Sequence, residues 1–274
     1  MLQRGVTEHG SWEYALRAPH PLLAPYVRGG YAGYRQEMHA PVRRVELPHA
    51  GIVLIVGLGP AIDVDGAAHR SFVAGLYDAP AVVTDDGRQA GVQINLTPLG
   101  ARMLLGLPMR ELARRTVALQ DVLANDRAIS ERLATLDSWP ARFDALDAFL
   151  LDRLERAAPP RADVAYAWSR LSEAHGRLRI GALTQELGCS RRHLSARFGE
   201  EVGMAPKAFA RILRFERAGA LLARGIAPAE VSAICGYADQ PHLNREFRAL
   251  GAGAPAAFAT TAVTNIQDGL AFAA

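Results

Sequence analysis

Lysine is nearly absent from this chain: Lys207 stands alone among 31 basic residues, and the rest are arginine. With abundant Ala and Gly, that is the mark of a GC-rich bacterial coding sequence and not of a function. Cysteine is scarce too. Cys189 and Cys235 are too few for a disulfide framework, so a reducing cytoplasm is expected. Beside Gly188 and Gly236, they read as small apolar residues before they read as a redox switch. Long apolar runs are missing. The greasiest stretch, AGIVLIVGLGPAI at 50–62, is broken by Gly and Pro and falls short of the roughly 20 residues that span a bilayer. The opening MLQRGVTEHGSWEY has no apolar core of a signal peptide. A soluble cytoplasmic chain with no membrane partner is the expectation.

Catalytic signatures are equally thin. No nucleophile elbow, P-loop or dinucleotide fingerprint occurs, and LGLG at 56–59 followed by Pro60 is too weak to hold a nucleotide. His39, His49 and His69 do not form the close His-x-His plus carboxylate cluster of a cupin metal site. Neither metal nor cofactor is expected, and no enzyme activity.

What is present is a folded composition, 50% hydrophobic and 22% charged, in a length sufficient for two domains. The charge is uneven. The chain carries a net +3, yet Gly176 to Phe258 holds 12 Arg and Lys against 7 Asp and Glu, which leaves the remainder at −2. A positive field gathered in one region suits a polyanion partner.

Residues 12–97 read as β-rich. VELPHAGIVLIVGLG at 45–59, AIDVDG at 61–66 and the runs within 70–97 are short, closely spaced strand signals, as in a sandwich or small barrel. DDGR at 85–88 predicts a hairpin turn. PLGARMLLG at 98–106 predicts a helix that starts at Pro and stops at Gly. Amphipathic helices are predicted at 129–136 and 142–157, the second from Phe143, Leu146, Phe149, Leu150 and Leu154 at spacings of three and four. APP at 158–160 makes the linker. The expected division is a β-rich sensor or dimerisation domain over 1–128, a helical connector over 129–160, a helical domain over 161–260 and a tail over 261–274.

One phrase is written twice. HLSARF at 193–198 returns as HLNREF at 242–247, 49 residues on. Around the first copy, Ile180, Leu183 and Leu187 line a short helix that Gly188 breaks. Ser190 is placed to cap the next helix, in which Leu194 and Phe198 face inward. Around the second, Val231, Ile234 and Cys235 precede Gly236, Asp239 caps, and Leu243 and Phe247 repeat the inward pair. Pro206 and Phe209 recur as Pro255 and Phe258, whereas the turn glycines are 48 apart, so the second turn is one residue longer. A match of this length is a structural repeat. Two short helices around a Gly turn, the second rich in arginine, make a helix-turn-helix, whose second helix enters the major groove. KAFARILRFERAGALLAR at 207–224 runs between them as a spacer helix roughly 27 Å long, against about 34 Å between successive major-groove faces.

LGCSRRHLSARF, GMAPKAFARILRFERA and GYADQPHLNREF followed by GAP resemble the DNA-binding domain of the AraC/XylS family of bacterial transcription regulators, over 176–258. The resemblance implies a seven-helix tandem helix-turn-helix that binds promoter DNA and changes transcription initiation. The chain departs from the family at Ala196, where arginine is usual, and at Ala252, where glycine is common. VQINLTPLGARMLLGLPMREL at 92–112 is similar to the segment after the last strand in an AraC-like subgroup. That implies a small cupin-like β domain and so an α+β chain.

Candidate base-edge residues are Arg191, Arg192, Ser195, Gln240, Asn244 and Arg245, since Arg pairs bidentately with guanine and Gln or Asn with adenine. Candidate phosphate contacts are Ser190, His193, Arg197, Lys207, Arg211, Arg214, His242 and Arg248, because more than half of protein–DNA hydrogen bonds go to the backbone. The two histidines read equally well as packed spacers. The expected partner is double-stranded promoter DNA. RNA polymerase, a small-molecule effector and a second copy of the chain stay open as partners. Two other readings stand beside this one: a catalytic N-terminal domain fused to the DNA domain, and a DNA-binding protein without sequence preference.

Overall fold

A computed structural model describes residues 1–123 and 126–255, without the side chains of 126 and 127. Phe258 and the tail lie outside the described residues. The chain divides into two compact units. Unit 1 is Met1–Glu46, Gly51–Gly75 and Ala81–Pro159, and unit 2 is Leu47–Ala50, Leu76–Pro80 and the chain from Pro160 onward.

Unit 1 is a pair of antiparallel sheets. Its strands are β1 (Leu2–Thr7), β2 (Gly10–Arg17), β3 (Val27–Met38), β4 (Val42–Glu46), β5 (Ile52–Gly57), β6 (Ile62–Val64), β7 (Ala67–His69), β8 (Phe72–Ala74), β9 (Ala81–Asp85), β10 (Arg88–Leu96) and β11 (Thr116–Ala118). Seven run in the order β1-β2-β3-β10-β5-β8-β11 and four in the order β4-β9-β6-β7. Ile55 and Phe72 of the larger sheet and Ile62, Val64 and Val83 of the smaller form one buried cluster. The chain turns at VDG: Gly66 N–H donates to the Asp63 carboxylate at 2.8 Å, with Asp65 and Gly66 at φ 51 and 88.

DDGR also turns, with Gly87 at φ 94 and its N–H donating to Asp85 at 2.8 Å. It is not a hairpin, however. β9 pairs with β4 and β6, and β10 pairs with β3 and β5. The turn carries the chain from one sheet to the other. Turn chemistry specifies reversal of the chain and not whether the flanking strands pair.

Among the described residues, unit 1 also holds a short 3-10 turn (Met109–Leu112) and the α-helices α1 (Pro98–Leu105), α2 (Leu119–Val122), α3 (Asp126–Thr135) and α4 (Trp139–Glu155). α1 has Thr97 as its N-cap and ends at Gly106 with φ 73, the left-handed stop that the sequence predicts. α4 is fastened to the sheet. Arg17 reaches Asp144 and Asp147 at 2.5 Å each, Tyr31 Oη donates to Asp147 at 2.7 Å, and Trp139 Nε1 donates to Glu13. Gly33 makes room for it: a Cβ there would fall 2.4 Å from the Trp139 ring. The two helices predicted near 129–136 and 142–157 thus belong to unit 1.

Unit 2 holds α5 (Ala162–Glu173), α6 (Ile180–Glu186), α7 (Arg191–Val202), α8 (Pro206–Ala223), α9 (Pro228–Ile234) and α10 (Gln240–Ala249). Phe215, Ala218, Leu221, Leu222, Val231, Leu243 and Phe247 form a closed core, with Leu47 against its edge. Ala50 N–H donates to the buried Glu216 carboxylate at 2.9 Å. A small piece of the N-terminal sequence is therefore built into this helical unit. Among the described residues no helix is long and apolar enough to cross a membrane.

Candidate nucleic-acid interface

Each half of unit 2 folds as the repeat predicts. In the first, α6 leads through Gly188 at φ 61 to α7, whose N-cap Ser190 accepts from His193 N–H at 3.2 Å. In the second, α9 leads through Gly236 at φ 73 to α10, whose N-cap Asp239 accepts from His242 N–H at 2.6 Å. Both glycines occupy the left-handed region that side chains disfavour. Leu194, Phe198, Leu243 and Phe247 are all buried. Phe198 meets Phe209 at 5.8 Å and Phe247 meets Phe215 edge-on at 4.8 Å, so each second helix is seated on α8.

The extra residue in the second turn has a structural consequence. Ala238 N–H donates to His242 Nδ1 at 3.3 Å, and the His242 ring stands at 88° to Tyr237. His242 is half-buried and closes its own turn, whereas His193 is exposed. The two histidines share a repeat position but not an environment.

With the inner faces packed, the outer faces of α7 and α10 carry Arg191, Arg192, His193 and Ala196 on one side and Gln240, Arg245 and Arg248 on the other, all exposed. Ser195 and Asn244 are half-buried. Of the remaining candidates, Lys207 is exposed in the first turn of α8. Three cations have internal partners. Arg197 pairs with Asp163 at 2.6 Å, Arg211 pairs with Glu246 at 2.5 Å, and Arg214 donates to Gly176 O at 3.5 Å while lying 5.7 Å from the Tyr237 ring centre. The Lys207, Arg211 and Arg214 stripe is thus exposed only at Lys207. Sequence reasoning passed over Arg179, which is exposed at the N-cap of α6. The RLR run at 177–179 was its signal.

His175 occupies a left-handed position, φ 47, ahead of α6. His175 is exposed overall, but partial desolvation of its ring, then the guanidiniums of Arg217 and Arg177, holds the imidazole below the ordinary histidine value, while Glu216 acts in the opposite sense. A depressed folded-state value means that stability is fully present above the unfolded value of about 6.5 and is lost as pH falls through the folded value. The urea midpoint of unit 2 is expected to drop between about pH 7.5 and about pH 5.5. His175→Asn, which keeps a residue tolerant of this backbone, is expected to lessen the drop. Equal drops in both proteins would contradict the assignment.

Clefts among the described residues of unit 1 include the following. One of about 460 Å³ is lined by His69, Arg70, Ser71, Gln120, Ser130 and Glu131 among others, and one of about 410 Å³ by Arg4, Trp12, Glu13, Arg35 and Glu37. No cluster of metal-ligating side chains occurs among the described residues.

Two family descriptions match the chain: a helix-turn-helix domain over 183–261 and a domain of unknown function (DUF6597) over 16–118. No curated protein matches. Among solved structures, ToxT from Vibrio cholerae is 12% identical over 81% of this chain and 98% of its own, with a TM-score of 0.45. The C-terminal domain of AraT, a response regulator from Geobacillus stearothermophilus, is 20% identical over 38% of this chain and 88% of its own, with a TM-score of 0.36. The AraC-like transcriptional activator CuxR is 14% identical over 77% and 84%, with a TM-score of 0.28. Likenesses this distant carry no inference about ligand or partner.

Proposed function

We propose, from the premise that residues 183–261 carry an AraC-type helix-turn-helix domain and that the protein is a DNA-binding transcription regulator, that α7 and α10 read two successive major-groove segments of promoter DNA. The observation that carries this reading is the pair of equivalent helices, each with an apolar face seated on α8 and an exposed outer face that bears Arg191 and Arg192 or Gln240 and Arg245. α8 has 18 residues, roughly 27 Å of rigid spacer, which suits readers set on neighbouring turns of the groove. Base contacts fall to Arg191, Arg192, Ser195, Gln240, Asn244 and Arg245. Phosphate contacts fall to His193, Lys207 and Arg248, with the Ser190 side chain already spent on its cap. Modulation through unit 1, by a small molecule or by dimerisation, belongs to the same proposal. Its clefts of about 460 and 410 Å³ lie within the size range of small-molecule sites. An effector acts only if it binds two states of the protein unequally.

Fluorescence anisotropy of the full chain on DNA from upstream of its own gene, against scrambled DNA at two salt concentrations, tests the reading. Specific binding is expected to exceed non-specific binding by about 10³-fold or more. Arg245 is exposed and has no side-chain partner among the described residues. Arg245→Ala is expected to weaken specific binding by roughly 1–3 kcal/mol and relax preference at one position. Wild type that binds every sequence alike, with a steep salt dependence, would instead favour a non-specific DNA-binding protein.

A further inference from the structure

We propose that Arg197 and Glu246 are positioning residues, each tying its reading helix to the long helix that leads into the same half, with the charge reversed between the halves; this rests on the reading of α7 and α10 as DNA readers.

The repeat locates the pair. Arg197 directly precedes Phe198 and Glu246 directly precedes Phe247, so the two sit 49 residues apart at one position of the repeat. Their partners are related as well. Asp163 of α5 and Arg211 of α8 are 48 apart, the spacing of the turn glycines. Each half thus carries a strut from long helix to reading helix: Asp163 to Arg197 at 2.6 Å and Arg211 to Glu246 at 2.5 Å. The side chains are 36% and 27% exposed in the first strut, and 29% and 20% in the second. Such half-buried pairs are less screened by salt than fully exposed ones. The Phe contact beside each strut seats the apolar face of the helix, which sets its rotation only through packing. A short charge-assisted bond one residue away adds a directional constraint to that packing. The first strut is reinforced by Arg161 N–H, which donates to the buried Glu201 carboxylate near the end of α7 at 2.9 Å.

The reversal has its own effect. α7 also packs on α8 through Phe198 and Phe209, so the reversal acts at the two strut positions: were α5 and α8 exchanged there, Arg211 would face Arg197 and Asp163 would face Glu246. Both pairs repel, so the struts specify which long helix each reading helix pairs with at that position. Arg197 is therefore not one of the phosphate contacts, and Glu246 is not a stray acid in a DNA-facing helix.

A charge-swap cycle in the full chain tests this, with binding measured on single-base variants of the preferred site. Arg197→Glu is expected to flatten discrimination within the segment read by α7, by roughly tenfold, and to leave the segment read by α10 unchanged. Arg197→Glu combined with Asp163→Arg is expected to restore most of it. Glu246→Arg, alone and with Arg211→Glu, gives the mirror result in the other segment. Throughout, the slope of log affinity against log salt stays at the wild-type value, because no phosphate contact is removed. A slope that falls by about one without rescue by the swap would make Arg197 a phosphate contact and overturn the proposal. Unaltered discrimination in Arg197→Glu would overturn it as well. Should Arg197→Glu fail to fold by circular dichroism, Arg197→Gln, which keeps a donor and loses the charge, is read in the same way. Failure of the underlying reading shows separately, as wild type that discriminates no sequence.

Discussion

Phe247→Ala is expected to cost about 3–5 kcal/mol of stability and, on the proposed reading of α10 as a DNA-contacting helix, to abolish its contribution to binding. Phe247 is fully buried, meets Phe215 edge-on at 4.8 Å, and lies in an apolar cluster that joins α8, α9 and α10. Truncation takes away the transfer free energy of the ring and leaves a cavity among side chains that are themselves fully packed. α10 has only 10 residues, too short to be stable without its packed face. Urea unfolding followed by circular dichroism checks the first effect, and binding to single-base variants checks the second. Discrimination should vanish in the segment read by α10 before it changes in the segment read by α7. A loss under about 1 kcal/mol would mean that the site collapses around the missing ring and that the core is not the seat of α10.

A fragment that begins at Pro160 is expected to be less stable than the same unit in the intact chain, by roughly 2–4 kcal/mol. Unit 2 includes Leu47–Ala50 and Leu76–Pro80. A cut at 160 removes Leu47 from the edge of the α8–α10 core. It also strips the Ala50 N–H from Glu216, a carboxylate only 9% exposed. A hydrogen bond to a charged group contributes about 1.5–3 kcal/mol. The check is hydrogen exchange at the amides of α8 and α10 in the fragment and in the full chain. Protection factors lower in the fragment by one to three powers of ten, roughly, are the expected result. Equal protection would show that the N-terminal segments contribute nothing to the unit.

The reach of the sequence followed the range of the interactions. Caps, Gly turns and inward pairs depend on residues within a helical turn or two, and Ser190, Asp239, Gly188, Gly236, Leu194 and Phe247 were all legible. So were the stops of α1 and the span of α8, which Pro and Gly punctuation mark, whereas α3 and α4 were read from periodicity but begin three residues earlier than predicted. What escaped depends on distant partners. DDGR has hairpin chemistry, yet β9 and β10 belong to different sheets, and local turn residues carry no record of that. Arg197 resembles any surface arginine until Asp163, 34 residues away, is placed beside it. The stripe formed by Lys207, Arg211 and Arg214 obeys helical spacing, but Glu246 and the Gly176 carbonyl occupy two of its three cations. The inclusion of 47–50 and 76–80 in the helical unit has no local signature at all. For the small-molecule question the sequence offered no motif, whereas the structure shows clefts among the described residues of unit 1.

The central claim is that one chain reads DNA with two heads on one face, and hydroxyl-radical footprinting of the full protein on its preferred site addresses it most directly. Two protected segments centred about 10 base pairs apart on the same face of the duplex are expected, the first lost in Arg191→Ala with Arg192→Ala and the second in Arg245→Ala. A single protected segment, or protection spread evenly along the DNA, would contradict the account.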